Sequence, residues 1–274
     1  MRQAHLVDGT YELFRHFFGA PPHTNGDGEE VGAVRGLVYS VLAMLEGGAT
    51  HVGVATDHVI ESFRNDLWPT YKSSAGVDPV LLAQFGPAEE ALEALGVTVW
   101  PMVDEEADDA MASAARTLAE GGDVDQVVIC TPDKDLGQCV RGDQVVQLDR
   151  RNQKLIDESG VVAKFGVSPE SIPDYLALVG DSADGFPGLA GWGAKSASGV
   201  LARFRHVEDI PDDPAQWKVA VRSAGSLAAT LAAQRDLVAL FKVLATLRTD
   251  LPVVERAAQL QWNGPRSTFP TWVE

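Results

Sequence analysis

Four short apolar runs in this chain each end on carboxylates, and that recurrence limits the fold more than any other feature. The runs cover residues 4–7, 51–55, 97–100 and 127–130, each the length of a buried strand and too short for a helix. Asp8-Gly9 follows the first and Asp57 the second; the third leads to Asp104-Glu105-Glu106-Ala107-Asp108-Asp109 and the fourth to Thr131-Pro132-Asp133-Lys134-Asp135. The last two segments run on into helical spacing. Strands that alternate with helices build a mostly parallel α/β sheet, and in an open sheet of that kind the ligand crevice lies outside the C-terminal strand ends. Acids are therefore gathered where such a fold binds its ligand.

A structural role accounts for part of this. Acids in the first turn of a helix meet the positive end of its dipole, worth roughly 0.3–1 kcal/mol each, and Asp104 suits the N-cap of a helix beginning at Glu105. It does not account for two clusters at neighbouring strand ends, because like charges repel unless a cation lies between them. Oxygen ligands, with His and Cys almost absent from the motifs, suit Mg²⁺ or Mn²⁺ rather than zinc.

Charge bears on the partner. A net charge of −17 makes a poor nucleic-acid binder on its face, since affinity for phosphates rests on Lys and Arg. If nine of the acids hold metal ions the remainder falls to about −8, and local basic patches can still grip DNA. Cys130 and Cys139 are the only cysteines, expected reduced and buried as in a cytosolic protein. No segment has the apolar core of a signal peptide and no run approaches membrane-spanning length, so the expected place is the bacterial cytoplasm with no membrane partner. The 274 residues allow one large or two modest domains.

Along the chain, residues 11–18 read as a helix with an aromatic face and 21–28 as a turn-rich loop. Residues 31–45 read as a helix interrupted by Gly36, which either packs against a neighbour or lets a DNA backbone approach. Residues 61–75 interleave aromatic and basic side chains; Arg64 and Lys72 there are candidate phosphate contacts over the site. An amphipathic helix over 81–95, a hairpin of edge strands at 144–148 and 154–156, and helices over 158–165 and 169–179 follow. Residues 180–197 form a Gly-rich turn between helices, able to hold a phosphate on backbone N–H groups. A polar loop at 212–214, a long helix over 227–247 and an irregular tail to Glu274 complete the chain, with no chemistry assigned to the tail.

Taken together these segments resemble the 5′ nuclease family: the 5′-3′ exonuclease domain of bacterial DNA polymerase I, phage 5′ exonucleases and flap endonucleases. The matching motifs are Leu6-Val7-Asp8-Gly9, Thr24-Asn25-Gly26, Phe63-Arg64 with Tyr71-Lys72, Glu106-Ala107-Asp108-Asp109, Asp133-Lys134-Asp135-Leu136 and the stretch from Gly180-Asp181 to Lys195. They span most of residues 4–205, with no polymerase sequence after them in this chain, which looks like a stand-alone member.

The resemblance implies a PIN-like α/β core with a helical arch over residues 58–90, filling 1–160, and a helical region over 161–274 with a helix-three-turn-helix at 175–205. It implies one divalent cation bounded by Asp8, Asp57, Glu106 and Asp108, and another bounded by Asp109, Asp133, Asp135 and Asp184, with Asp181 acting through water. Lys72 and Arg64 become the catalytic cations. Gly188, Gly191, Gly193, Lys195 and Ser196, with Tyr71 and Gly36, become DNA contacts, and a monovalent cation such as K⁺ sits on the helix-three-turn-helix carbonyls. The implied reaction is two-metal hydrolysis of a phosphodiester near a 5′ end, by a monomer acting on DNA flaps, nicks or 5′ ends and on RNA–DNA hybrids.

Two positions depart from the family pattern: Ala75 stands where a second arch cation is usual, and Gly185 where an Asn is usual. Three rivals remain. A PIN-like ribonuclease would be shorter and lack the 180–197 turn. A non-catalytic binder of branched DNA fits Ala75 but not the full set of acids, and an acidic α/β protein with another ligand does not account for six motifs in order.

Overall fold

The computed structural model describes residues 1–269; the end of the expected irregular tail, 270–274, lies outside the described residues. Six strands, β1 (Gln3–Asp8), β2 (His51–Asp57), β3 (Thr98–Met102), β4 (Gln126–Cys130), β5 (Val145–Asp149) and β6 (Lys154–Ile156), form one sheet in the order β3-β2-β1-β4-β5-β6. All pairs are parallel except β5 with β6. The expected hairpin is present, but β5 pairs with β4 on its other side, so of its two strands β6 alone lies at an edge, β3 being the other edge of the sheet.

Every residue of β2 and β4 is buried, as strands covered on both faces require. The period of two sends alternate side chains to opposite cores. Ala4 and Leu6 of β1 join one core, with Ala110, Met111, Ala114 and Leu118 of α6 (Ala107–Gly121). Val7 joins the other, built on α1 (Gly9–Gly19), α2 (Gly32–Glu46) and α5 (Phe85–Ala94). Leu13, Leu37 and Leu92 are fully buried there, each worth roughly 1.5–3 kcal/mol. Strand order reverses between β1 and β4, which puts the ligand crevice at their C-terminal ends.

A third core gathers the second half of the chain: α7 (Glu158–Phe165), α8 (Ile172–Val179), α9 (Ala194–Phe204), α10 (Ala224–Ala233) and α11 (Arg235–Ala245). The tail then returns to the sheet. Arg248 N–H donates to Asp109 at 2.8 Å, Thr98 Oγ1 to Gln259 O at 2.8 Å, and Trp262 Nε1 to Leu95 O at 2.8 Å.

Several expected helices differ in extent. The helix over 81–95 is two, α4 (Pro79–Leu82) and α5, and Gln84 at the break turns its side chain to α2: its Oε1 accepts from Ala33 N–H at 2.9 Å and Val34 N–H at 3.2 Å, satisfying the open N-terminus of α2. The helix over 227–247 breaks at Gln234 (φ −129°, ψ 31°) into α10 and α11, and Arg235 at the restart donates to the carbonyls of Val207 and Ile210. After β4 there is only a single 3-10 turn, Asp135–Cys139. Glu106, not Asp104, caps α6, and Asp109 Oδ2 accepts its N–H at 3.1 Å.

Gly36 serves packing. A Cβ there would stand 2.4 Å from the His16 ring, so its glycine lets α1 and α2 close on one another. Both cysteines are free thiols, Cys130 buried and Cys139 partly exposed. Among the described residues no helix is long and apolar enough to cross a membrane.

Candidate functional site

The strand ends bring the first group of acids together. Asp8 closes β1 and caps α1: Oδ1 accepts from Tyr11 N–H at 2.8 Å, and Oδ2 from the Thr131 hydroxyl at 2.8 Å. Asp57 closes β2, where Thr10 Oγ1 accepts its N–H at 2.7 Å, while its Oδ1 takes the Ala107 N–H of α6 at 2.7 Å. Its Oδ2 meets Lys72 Nζ at 2.7 Å, and the same Nζ lies 3.5 Å from Glu106 Oε2. Glu106 Oε1 accepts from Ser62 Oγ at 2.8 Å and from Arg64 at 2.9 Å. Burial pushes the Asp8 carboxyl up to about 7, with Asp57 and Asp133 adding to the rise against the Tyr11 and Thr131 hydrogen bonds. It also pushes Asp108 well above the usual carboxylate range, reinforced by Asp133 and Asp8. Burial alone would lower Lys72; Asp57, Glu106 and Asp108 more than reverse this and hold it well above the ordinary lysine value.

The second group sits beside the first. Carboxylate oxygens of Asp135, Asp181 and Asp184 lie within 4.8 Å of one another. Asp133, more exposed, accepts the Asp135 N–H at 2.9 Å. Asp135 is 5% exposed, and its Oδ1 is buried with no hydrogen-bond partner. Burial, then Asp133 and Asp184, raises Asp135 well above its ordinary value. Asp184 is raised to about 7 by burial, with Asp181 and Glu106 adding to it. Lys134 is ion-paired with Asp181. A buried carboxylate oxygen with no hydrogen-bond donor, on one of two acids, Asp135 and Asp184, that resist ionisation, is the electrostatic mark of a place for a cation, and an all-carboxylate set suits a hard divalent one. The residues present fit such ions.

Other expected site residues lie elsewhere. Arg64 is 0% exposed, so it cannot meet a phosphate over the site. It forks onto Asp109, at 2.7 and 2.8 Å, and donates to Glu106 and to the Leu244 and Thr246 carbonyls. Asp109, expected at the second cation position, is also 0% exposed, and both its oxygens are taken by Arg64, with Glu106 N–H and Arg248 N–H as further donors. The pair locks the start of α6 from below. Tyr71 is buried in the helical core and not on a DNA-facing surface. Gly188 is buried too: a Cβ there would stand 2.3 Å from the Gly180 backbone N, so this glycine joins two backbones. Gly191 and Lys195 are exposed, and Gly193 and Ser196 half-buried, at the N-terminus of α9, where Ser196 Oγ accepts the Gly193 N–H at 3.0 Å. The arch segment carries two single-turn helices, α3 (Arg64–Leu67) and α4.

Reading the sequence alone missed Ser62, Thr10, Thr131 and Lys134 as partners of the acids. Thr131 and Lys134 lie within the fourth acidic motif and Thr10 directly follows Asp8-Gly9, so adjacency was a usable signal; Ser62 carried none.

Fold and site together define an α/β protein with a carboxylate cation site at the switch point of its sheet and a helical second half. Comparison with known proteins narrows this. The family described as 5'-3' exonuclease, N-terminal resolvase-like domain, matches residues 3–166, and that described as 5'-3' exonuclease, C-terminal SAM fold, matches residues 167–268. The chain belongs to the 5'-3' exonuclease family. It is 34% identical over 256 residues to DNA polymerase I of Pseudomonas aeruginosa, a match covering 90% of this chain but 27% of the polymerase. To the 5'-3' exonuclease of Aquifex aeolicus it is 32% identical over 212 residues, covering 77% of this chain and 72% of that one. The phage T5 5'-exonuclease with bound zinc superposes with a TM-score of 0.71 at 20% identity, covering 90% of each chain.

Proposed function

We propose that this chain is a structure-specific DNA nuclease, hydrolysing phosphodiesters at 5′ ends and 5′ flaps during replication or repair with two divalent cations, Mg²⁺ or Mn²⁺. The observation that carries this is the buried Oδ1 of Asp135, which has no hydrogen-bond donor and only Lys134 Nζ at 3.8 Å, inside the second acid group beside the first at the C-terminal strand ends. Solved relatives support it: phage T5 flap endonuclease has been described in complex with DNA and metal ions.

In this reading Asp8, Asp57, Glu106 and Asp108 hold one cation and Asp133, Asp135 and Asp184 the other, with Asp181 behind them. Bound cations supply Lewis acidity, lowering the pKa of water and neutralising charge on the phosphate. The side chains do the rest. Lys72, kept protonated by Asp57 and Glu106, offers N–H donors to a phosphate oxygen as charge develops there. Thr131 and Tyr11 N–H fix Asp8, and Ser62 fixes Glu106, so each carboxylate stands in one orientation. Arg64 acts by position, through Glu106 and Asp109, and does not touch substrate. Gly191, Gly193, Lys195 and Ser196 at the α9 N-terminus grip the duplex backbone, and carbonyls of that turn hold K⁺. The products carry 5′-phosphate and 3′-hydroxyl. The chain acts as a monomer in the bacterial cytoplasm, on the nucleoid.

A gel assay on 5′-flap, nicked and blunt duplexes, labelled separately at each end and run in Mg²⁺, Mn²⁺ or EDTA, tests this. Cutting at the flap junction or release of short 5′ products is expected only with metal, and Asp133→Asn should abolish it while DNA still shifts in a native gel. Unchanged turnover in that variant overturns the two-cation assignment. A flap that shifts but is never cut makes the chain a branched-DNA binder, the reading Ala75 favours.

A further inference from the structure

Lys72 belongs to both acid groups at once. Its Nζ meets Asp57 at 2.7 Å and Glu106 at 3.5 Å, whereas its backbone N–H donates to Asp184 O at 3.1 Å. The residues just before it hold the same loop. Trp68 Nε1 donates to Gly185 O at 3.1 Å, and Thr70 Oγ1 donates to that oxygen at 3.4 Å. The Trp68 ring stands edge-on to Phe241 at 5.2 Å, and Phe241 stacks at 5.5 Å on Phe186, the residue after Gly185. Asn65 Nδ2 ties the other side, donating to the carbonyls of Tyr71 at 3.3 Å and Lys72 at 3.0 Å.

Gly185 is what lets the two segments meet. Its φ is +79°, and a Cβ there would stand 2.1 Å from Thr70 O, a backbone atom that cannot swing aside. Asn, the residue usual in this position by the resemblance, tolerates such a φ but not that contact. The departure at 185 therefore marks a tighter joint between the arch base and the aspartate loop.

We propose that Trp68 and Gly185 are positioning residues that couple the two cation positions through Lys72. The inference rests on the two-cation reading above. Pulling residues 68–72 away from 184–185 withdraws Lys72 from Asp57 and Glu106 and releases Asp184 in the same movement. A change at one position is thus felt at the other, a coupling carried by one rigid joint.

The test compares wild type, Trp68→Phe and Gly185→Asn. Trp68→Phe removes the N–H donor and part of the ring area but keeps an aromatic ring facing Phe241. Mn²⁺ isotherms by calorimetry, hydrogen exchange of residues 70–73 and 184–186 in EDTA, and kcat and KM on a 5′-flap duplex are read alongside thermal unfolding. Trp68→Phe should lose about fivefold in affinity for the second Mn²⁺ and about fivefold in kcat, the worth of one neutral hydrogen bond, with KM unchanged. Gly185→Asn should lose about tenfold or more in both, since backbone strain is added, and its 70–73 amides should exchange faster even in EDTA. Wild-type isotherms and exchange rates in both variants, or losses confined to KM, overturn the coupling. Wild-type protein that binds no Mn²⁺ sinks the two-cation reading instead, and the EDTA exchange rates still report on the joint.

Discussion

Replacing an acid at this site should stabilise the protein when no metal is present. Asp8 carries the clearest case. Burial, with Asp57 and Asp133 nearby, raises its carboxyl to about 7 from an ordinary value of 3.8. One pKa unit is worth about 1.4 kcal/mol, so keeping Asp8 ionised in the metal-free fold costs up to about 4 kcal/mol relative to the unfolded chain. Because the folded value lies above the unfolded one, the folded state binds this proton more tightly. The stability it contributes is complete below pH of about 4 and is lost as pH rises through about 7. Asp8→Asn has no proton to lose, and its carbonyl oxygen can still accept from Tyr11 N–H or the Thr131 hydroxyl. Urea unfolding in EDTA should therefore find the variant equal to wild type near pH 4 and more stable by up to about 4 kcal/mol at pH 8, with the slope m unchanged. Saturating Mg²⁺ should reverse the order, since only wild type then gains the full binding energy of an intact site. A variant no more stable than wild type at pH 8 in EDTA, or one whose gain is the same at both pH values, would refute the electrostatic account.

Three further predictions follow from the same contacts. Arg64→Ala leaves the Asp109 carboxylate buried without its counterion, and urea unfolding should show a loss of about 3–5 kcal/mol; a loss under about 1 kcal/mol would mean that water or Arg248 replaces the guanidinium. Gln84→Ala strips the cap from α2 and should cost about 1 kcal/mol, with faster amide exchange at residues 33 and 34; unchanged exchange there would show the cap to be idle. Ala75→Arg adds a second cation to the exposed arch segment, and a contribution of about 1.4 kcal/mol at the transition state would raise kcat about tenfold on a flap substrate; no rise means that Lys72 alone suffices.

Most of the sheet was legible because each strand carries its own signal: a run buried on both faces is mostly apolar, as residues 52–55 of β2 and 127–130 of β4 are. The acids at the strand ends were legible for the same reason, since strand and motif are contiguous. What escaped was settled by contacts distant in sequence. Gln84, at the break between two helices, turns its side chain to the N-terminus of α2, some fifty residues before it. Arg64 looked like a phosphate contact among aromatic neighbours, yet its partners come from α6 and from the end of α11. Asp109 has the same residue type and helix turn as Asp108, and only the position of that guanidinium tells a structural acid from one facing the site. Gly185 read as the loss of an Asn side chain, whereas the absent Cβ is what the Thr70 carbonyl requires.

The reach of Arg64 also bears on how the protein is made. Its guanidinium donates to the carbonyls of Leu244 and Thr246, 180 and 182 residues downstream, so the last helix is part of what seats it beneath the acids. During synthesis the sheet half emerges first, before Leu247, Val254, Ala257 and Leu260 can complete one of its cores. Until residues near 246 leave the ribosome, the Arg64–Asp109 pair lacks its carbonyl partners, and the start of α6 that presents Glu106 and Asp108 lacks part of its anchor. A chain made only as far as α11 would thus carry all the acids while Arg64 still lacked its Thr246 partner.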